Sequence, residues 1–96
     1  DVLKRDPENY LALQRLAFAK FSSQHCPEAE VLYRRLVDHY PSDIEMRAAL
    51  GWVTLRMGKQ KEAVSLFRQV LEISSEHVSA TAGLQAATAS RKKVKL

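Results

Sequence analysis

Apolar residues in this chain recur three and four positions apart, as in Leu13, Leu16 and Ala17, in blocks separated by short polar breaks. That spacing is the period of an α-helix with one buried face, and no stretch shows the strict alternation of a strand. The breaks carry helix-ending and helix-starting residues. In "SSQHCPE", Pro27 suits the first turn of a helix, where its missing N–H costs nothing. In Met57-Gly58-Lys59, Gly58 suits a helix C-cap. The pattern predicts an all-α chain with helices over 8–22, 27–39, 43–57, 60–73 and 76–91.

The blocks also repeat. Pro7 and Pro41 lie 34 residues apart and Ser75 another 34 beyond, each beside a polar helix-start signal: "PENY", "PSDIE" and "SEHVS". The same interval carries Leu16 and Ala17 onto Leu50 and Gly51, Ala29 onto Ala63, Tyr33 onto Phe67 and Leu36 onto Val70, while Leu84 extends the Leu16 and Leu50 series. Two helices packed about 8–10 Å apart need small side chains where they cross. Ala17, Gly51, Ala29 and Ala63 meet that need, and Leu16, Leu50, Tyr33 and Phe67 are expected to fill the space beside the crossings.

These residues resemble the tetratricopeptide repeat, whose pattern W-x2-L-G-x2-Y, then A-x3-F, then P, spans 34 residues. The Leu-Gly element is "LG" at Leu50-Gly51 and "LA" at Leu16-Ala17; the Ala-x3-aromatic element is Ala29 with Tyr33 and Ala63 with Phe67. The chain departs from the pattern at Leu13 and Arg47, in place of its Trp, and at Lys20 and Thr54, in place of its Tyr. The resemblance implies an α-solenoid of antiparallel helix pairs: one domain over 1–90, with repeats at about 8–41 and 42–75, a capping helix at about 76–90 and a basic tail at 91–96. "DVLKRDPEN" reads as the last turn of an earlier helix, with Val2 in register with Leu36 and Val70, so a piece of a longer array is expected.

In such arrays the first helices of successive units line a concave groove. By that resemblance the groove here presents Leu11, Gln14, Phe18, Phe21 and Ser22, then Glu45, Ala48, Trp52, Leu55 and Arg56, then Ser79, Ala82, Ala86 and Ala89. The core stripe is already supplied by Leu13, Leu16, Ala17, Leu50 and Gly51, so the aromatics widen the apolar surface beyond one buried face. Exposed aromatics in a patch mark a binding surface, although Phe18, Phe21 and Trp52 would serve equally as packing between repeats. The expected partner-binding set is Leu11, Gln14, Phe18, Phe21, Trp52, Leu55 and Arg56. The Lys, Asn and Arg clamp by which some relatives of this kind grip an acidic chaperone tail is missing, since Gln14, Phe18 and Trp52 hold its places.

The groove then suits an amphipathic helix or an apolar extended segment. The functional expectation is a protein–protein interaction module, an adaptor or a chaperone; small tetratricopeptide chaperones of bacterial secretion systems are similar in size and groove character. The alternative is a structural segment of a longer scaffold array that self-associates.

Composition narrows the rest. With 46% hydrophobic and 27% charged residues, and three each of Gly and Pro, the 96-residue chain is neither disordered nor fibrous. The net charge of +4 resides in Arg91, Lys92, Lys93 and Lys95, which leave eleven Lys and Arg against eleven acids elsewhere. That basic end has no interleaved aromatics for stacking bases and offers few phosphate contacts, so nucleic acid is set aside as a partner. No apolar run reaches the roughly 18 residues of a membrane span. Cys26 is the only cysteine, so no internal disulfide forms and a reducing, cytoplasmic compartment is expected. His25 and Cys26 lack further ligands at zinc spacing, and no phosphate loop, H-E-x-x-H or nucleophile elbow occurs. No catalytic residue, cofactor or metal is expected.

Overall fold

The computed structural model describes the backbone of residues 7–95 and the side chains of residues 9–89. Five helices follow one another: α1 (Pro7–Ser22), α2 (Cys26–His39), α3 (Ile44–Arg56), α4 (Gln60–Ile73) and α5 (Val78–Lys95). No strand occurs among the described residues. The loops span three or four residues, short enough to make successive helices antiparallel neighbours. Each helix packs on the next in sequence, and α3 also touches α5. The result is an all-α, helical-repeat arrangement, a slab 48 × 29 × 17 Å across.

The periodic positions explain the packing. Ala17, Ala29, Ala63 and Gly51 are buried at the helix crossings, with Tyr33, Leu36, Leu50, Phe67 and Val70 buried around them. The Phe67 ring sits between two glycines. A methyl group on Gly51 would come within 2.7 Å of that ring, and one on Gly83 would overlap it more deeply. Phe67 therefore fixes how closely α4 approaches both α3 and α5. Thr54, where the repeat pattern has Tyr, is fully buried and satisfies its hydroxyl on the Gly51 carbonyl at 2.9 Å.

Both turns within the repeats share one geometry. Gly58 has φ +83° and Gln24, 34 residues earlier, has φ +67°. The amide after each closes on its helix: His25 N–H donates to the Lys20 carbonyl at 2.7 Å, and Lys59 N–H to the Thr54 carbonyl at 2.8 Å. The repeat imposes this C-cap whether or not a glycine is available.

The helix starts after the longer loops are capped by side chains. Asp43 Oδ1 accepts from the amides of Glu45 at 3.0 Å and Met46 at 3.3 Å. Its other oxygen takes the hydroxyl of Tyr10, which also packs edge-on against Tyr40 with centroids 4.7 Å apart. His77, 34 residues after Asp43, takes the same role with a ring nitrogen: Nδ1 accepts from the Ala80 amide at 3.1 Å.

One core assignment is corrected. Leu16 is 45% exposed whereas its counterpart Leu50 is 2% exposed. Leu50 lies in a cluster with Leu36 from α2 and Leu66 from α4. Leu16 has α2 to one side, and among the described residues no helix precedes α1 to close the other. The expected register of Val2 lies outside the described residues, as do the side chains of the basic stretch. The backbone of residues 91–95 continues α5, so the helix extends past the expected end near 90. Lys and Arg are good helix formers, and no Gly or Pro interrupts them.

Candidate partner-binding groove

A hollow of about 210 Å³ opens between α1 and α3, lined by Phe18, Phe21, Tyr33, Glu45, Ala48, Ala49, Trp52 and Ser79. Four helices contribute. Phe18 and Trp52 occupy the same position of successive repeats, so the 34-residue period sets both rings on one side of the array. Ala48 and Ala49, between them, are too small to fill the space that the rings enclose.

The aromatic side chains are held to different degrees. Trp52 is half-buried: its ring meets Phe67 edge-on, with centroids 5.5 Å apart and planes at 70°. Its Nε1–H donates to Ser79 Oγ at 2.9 Å, which satisfies the indole's polar handle inside the protein. Phe18 has no such anchorage and is 61% exposed. Phe21 is intermediate, with the Arg56 guanidinium 4.8 Å from its ring centroid. The two readings of the aromatics therefore divide by residue. Trp52 belongs to the packing between repeats and to the groove wall at once, whereas Phe18 is free surface.

The structure brings three of the seven sequence-derived positions, Phe18, Phe21 and Trp52, into the groove lining, with Arg56 stacked beside them. Leu55 turns into the second core cluster, formed around Phe67 and Val70. Leu11, 44% exposed, and Gln14, half-buried, lie on α1 outside the hollow. Tyr33 and Ala49 line the groove without having been expected there. Tyr33 is buried, as expected of a residue beside a helix crossing, and also lines the hollow. Burial pushes its hydroxyl above the ordinary tyrosine range, which keeps it a neutral phenol.

Charge at the groove is sparse. Glu45, on the wall, holds His77 Nε2 at 2.9 Å. With Nδ1 committed as an acceptor to the Ala80 amide, that Nε2 is the donor. The main ionic cluster lies elsewhere: buried Glu30 takes Arg34 at 2.6 Å and Lys59 at 2.8 Å, and Arg34 also binds Glu62. Lys59, then Arg34, holds the Glu30 carboxyl below the usual glutamate range against the opposing effect of burial. The i,i+4 spacing of Glu30 and Arg34 was legible as a helix-surface pair, but the reach of both to α4 and its preceding turn was not.

A larger hollow of about 590 Å³ runs along α4, bordered by Gln60, Lys61, Val64, Ser65, Arg68, Gln69 and Glu72. Its single apolar side chain, Val64, gives a partner little to bury against. Among the described residues no group of three His, Cys, Asp or Glu could hold a metal ion, and no helix is long and apolar enough to cross a membrane. Cys26 is buried at the start of α2. Neither a protein-family model nor a curated protein matches the chain.

Proposed function

We propose that this protein is a tetratricopeptide-type protein-binding module that takes an apolar helix or peptide segment of another polypeptide in the groove between α1 and α3. The observation that carries the reading is the aromatic wall: Phe18, 61% exposed, faces the same hollow as Phe21 and Trp52. An exposed ring and two half-buried ones around the small side chains of Ala48 and Ala49 form the kind of pocket that holds one apolar anchor of a bound helix. Such a module acts as an adaptor or as a chaperone that shelters the apolar face of its client.

Trp52 is the only tryptophan and lines the hollow, so its emission reports occupancy directly. Titration with a synthetic amphipathic peptide carrying Leu at i, i+3, i+4 and i+7 is expected to shift that emission to the blue and to saturate. Phe18→Ser, at an exposed site, is expected to leave the helical circular dichroism unchanged and weaken binding by about 1–2 kcal/mol. No response of Trp52, or an equal response in Phe18→Ser, rejects the groove as the binding site.

A second reading, of a structural segment that self-associates, is favoured by a different surface. Ala12, Leu16 and Ala19 are exposed on α1, and their counterparts Met46, Leu50 and Val53 are buried on α3. Sedimentation at increasing concentration tests it. A mass that rises in the parent and stays monomeric in Leu16→Lys supports end-on stacking.

A further inference from the structure

Resting on the groove reading above, we infer that the bound segment carries a carboxylate one helical turn from its apolar anchor, and that Arg56 is the residue that selects it. Arg56 stands four positions after Trp52 on α3, so the two project from neighbouring turns of one helix face. Its guanidinium lies 4.8 Å from the centroid of Phe21, itself part of the groove lining. The contact places the guanidinium carbon over the ring, and none of the group's N–H donors is hydrogen-bonded to another described residue.

Those donors meet no carboxylate among the described residues, whereas the neighbouring charges are already engaged. Lys20, next to Phe21, pairs with Glu28 at 3.6 Å; Glu45 is hydrogen-bonded to His77 at 2.9 Å; Arg34 is shared between Glu30 and Glu62. Among the described residues the groove thus offers an apolar hollow with a cation at its lip, Arg56, that no carboxylate neutralises, while Glu45, at the other end of α3, is hydrogen-bonded to a neutral His77. Stacking also removes part of the rotamer freedom that an arginine otherwise loses on binding, which makes this cation a better acceptor of a partner's charge than a mobile surface lysine. An Asp or Glu on the partner complements it. A nucleic acid does not, because a single arginine at the groove lip neutralises too little of a phosphate backbone.

The test uses the full chain, Trp52 emission at low salt, and two 15-residue amphipathic peptides that differ only in a Glu or a Gln one turn beyond the last Leu anchor. The Glu peptide is expected to bind twofold to fivefold more tightly than the Gln peptide, the range of a partly exposed ion pair, and the advantage is expected to vanish in 0.5 M salt, roughly, where such pairs are screened. In Arg56→Gln the two peptides should bind alike. In Arg56→Glu the order should turn toward a third peptide with Lys at the same place. Arg56 is exposed, and unchanged circular dichroism in both variants would show that they fold. Equal affinity of the parent for the Glu and Gln peptides, with Phe18→Ser weakening both, overturns the role of Arg56 while leaving the groove reading intact. Absence of binding by either peptide overturns both. A dT12 oligonucleotide that shifts Trp52 in an Arg56-dependent way overturns the assignment of a protein carboxylate.

Discussion

Leu16 and Leu50 carry the same side chain at the same position of the repeat, yet the neighbourhood gives them different energetic weight. Leu50→Ala empties a site packed by α2 and α4 and should cost about 2–5 kcal/mol, whereas Leu16→Ala, on a 45% exposed residue, should cost less than about 1 kcal/mol. Urea denaturation of the two variants checks the contrast, and equal losses would mean that the α1 face is covered in solution. Trp52 is intermediate by the same logic. Its truncation removes the edge contact with Phe67 and the bond to Ser79 while part of the ring already faces the hollow. Trp52→Ala should therefore lower stability by about 2–3 kcal/mol, short of a full core loss, and also abolish peptide binding. Since affinity and stability both move, Phe18→Ser is the cleaner probe of the groove.

Among the elements, the paired turns after α1 and α3 offer a comparison internal to one molecule. Gly58 occupies its left-handed conformation at no steric cost, and a methyl group there would meet nothing within 4 Å, so any penalty of substitution is conformational. Gly58→Ala should destabilise by about 1 kcal/mol. Gln24 already bears that strain at φ +67°, and Gln24→Gly should stabilise by about 0.5–1 kcal/mol. Thermal melts of the two single variants should move in opposite directions; a loss in Gln24→Gly would show that its side chain is held by contacts outweighing the strain. The helix starts show the same economy of form with different chemistry. Asp43 and His77 cap equivalent helices, and each is reached by a residue of the preceding repeat, Tyr10 and Glu45 respectively. Burial, then the hydrogen bond to Asp43, pushes the Tyr10 hydroxyl far above its ordinary value, so this tie persists through the alkaline range.

At the scale of the whole molecule, acid sensitivity among the described residues is expected to centre on Glu30. Its carboxyl titrates lower in the folded chain than in the unfolded one because Lys59 and Arg34 hold its charge. The stabilisation is complete above the unfolded value and is lost as pH falls through the folded one. Urea midpoints should thus decline below about pH 4, where unfolded glutamates take up protons. Glu30→Gln should lower stability at pH 7 by about 1–3 kcal/mol, since it leaves Lys59 and part of Arg34 without a buried acceptor, and should flatten the acid limb. An unchanged acid limb in Glu30→Gln would move the sensitivity to another carboxylate. The cluster joins α2 to α4 and to the turn before it, so it couples the two repeats as well as stabilising one helix.

The number and type of the helices, and their bounds apart from the far end of α5, were legible from the three-and-four spacing and the capping residues, because both are local and a helix satisfies its own backbone. The 34-residue period carried the crossing positions as well, since a small residue facing a large one is demanded by the distance between axes whatever the partner is. Tertiary structure alone decided which equivalent residues are equivalent in environment. Leu16 and Leu50 match in sequence, but exposure depends on what stands on the far side of the helix, and that is a property of the stack. It likewise turned Leu55 inward, brought Tyr33 to the groove floor, and satisfied the Trp52 indole on Ser79, 27 residues away. Such contacts depend on how far side chains reach between helices, a distance that no spacing along the chain encodes.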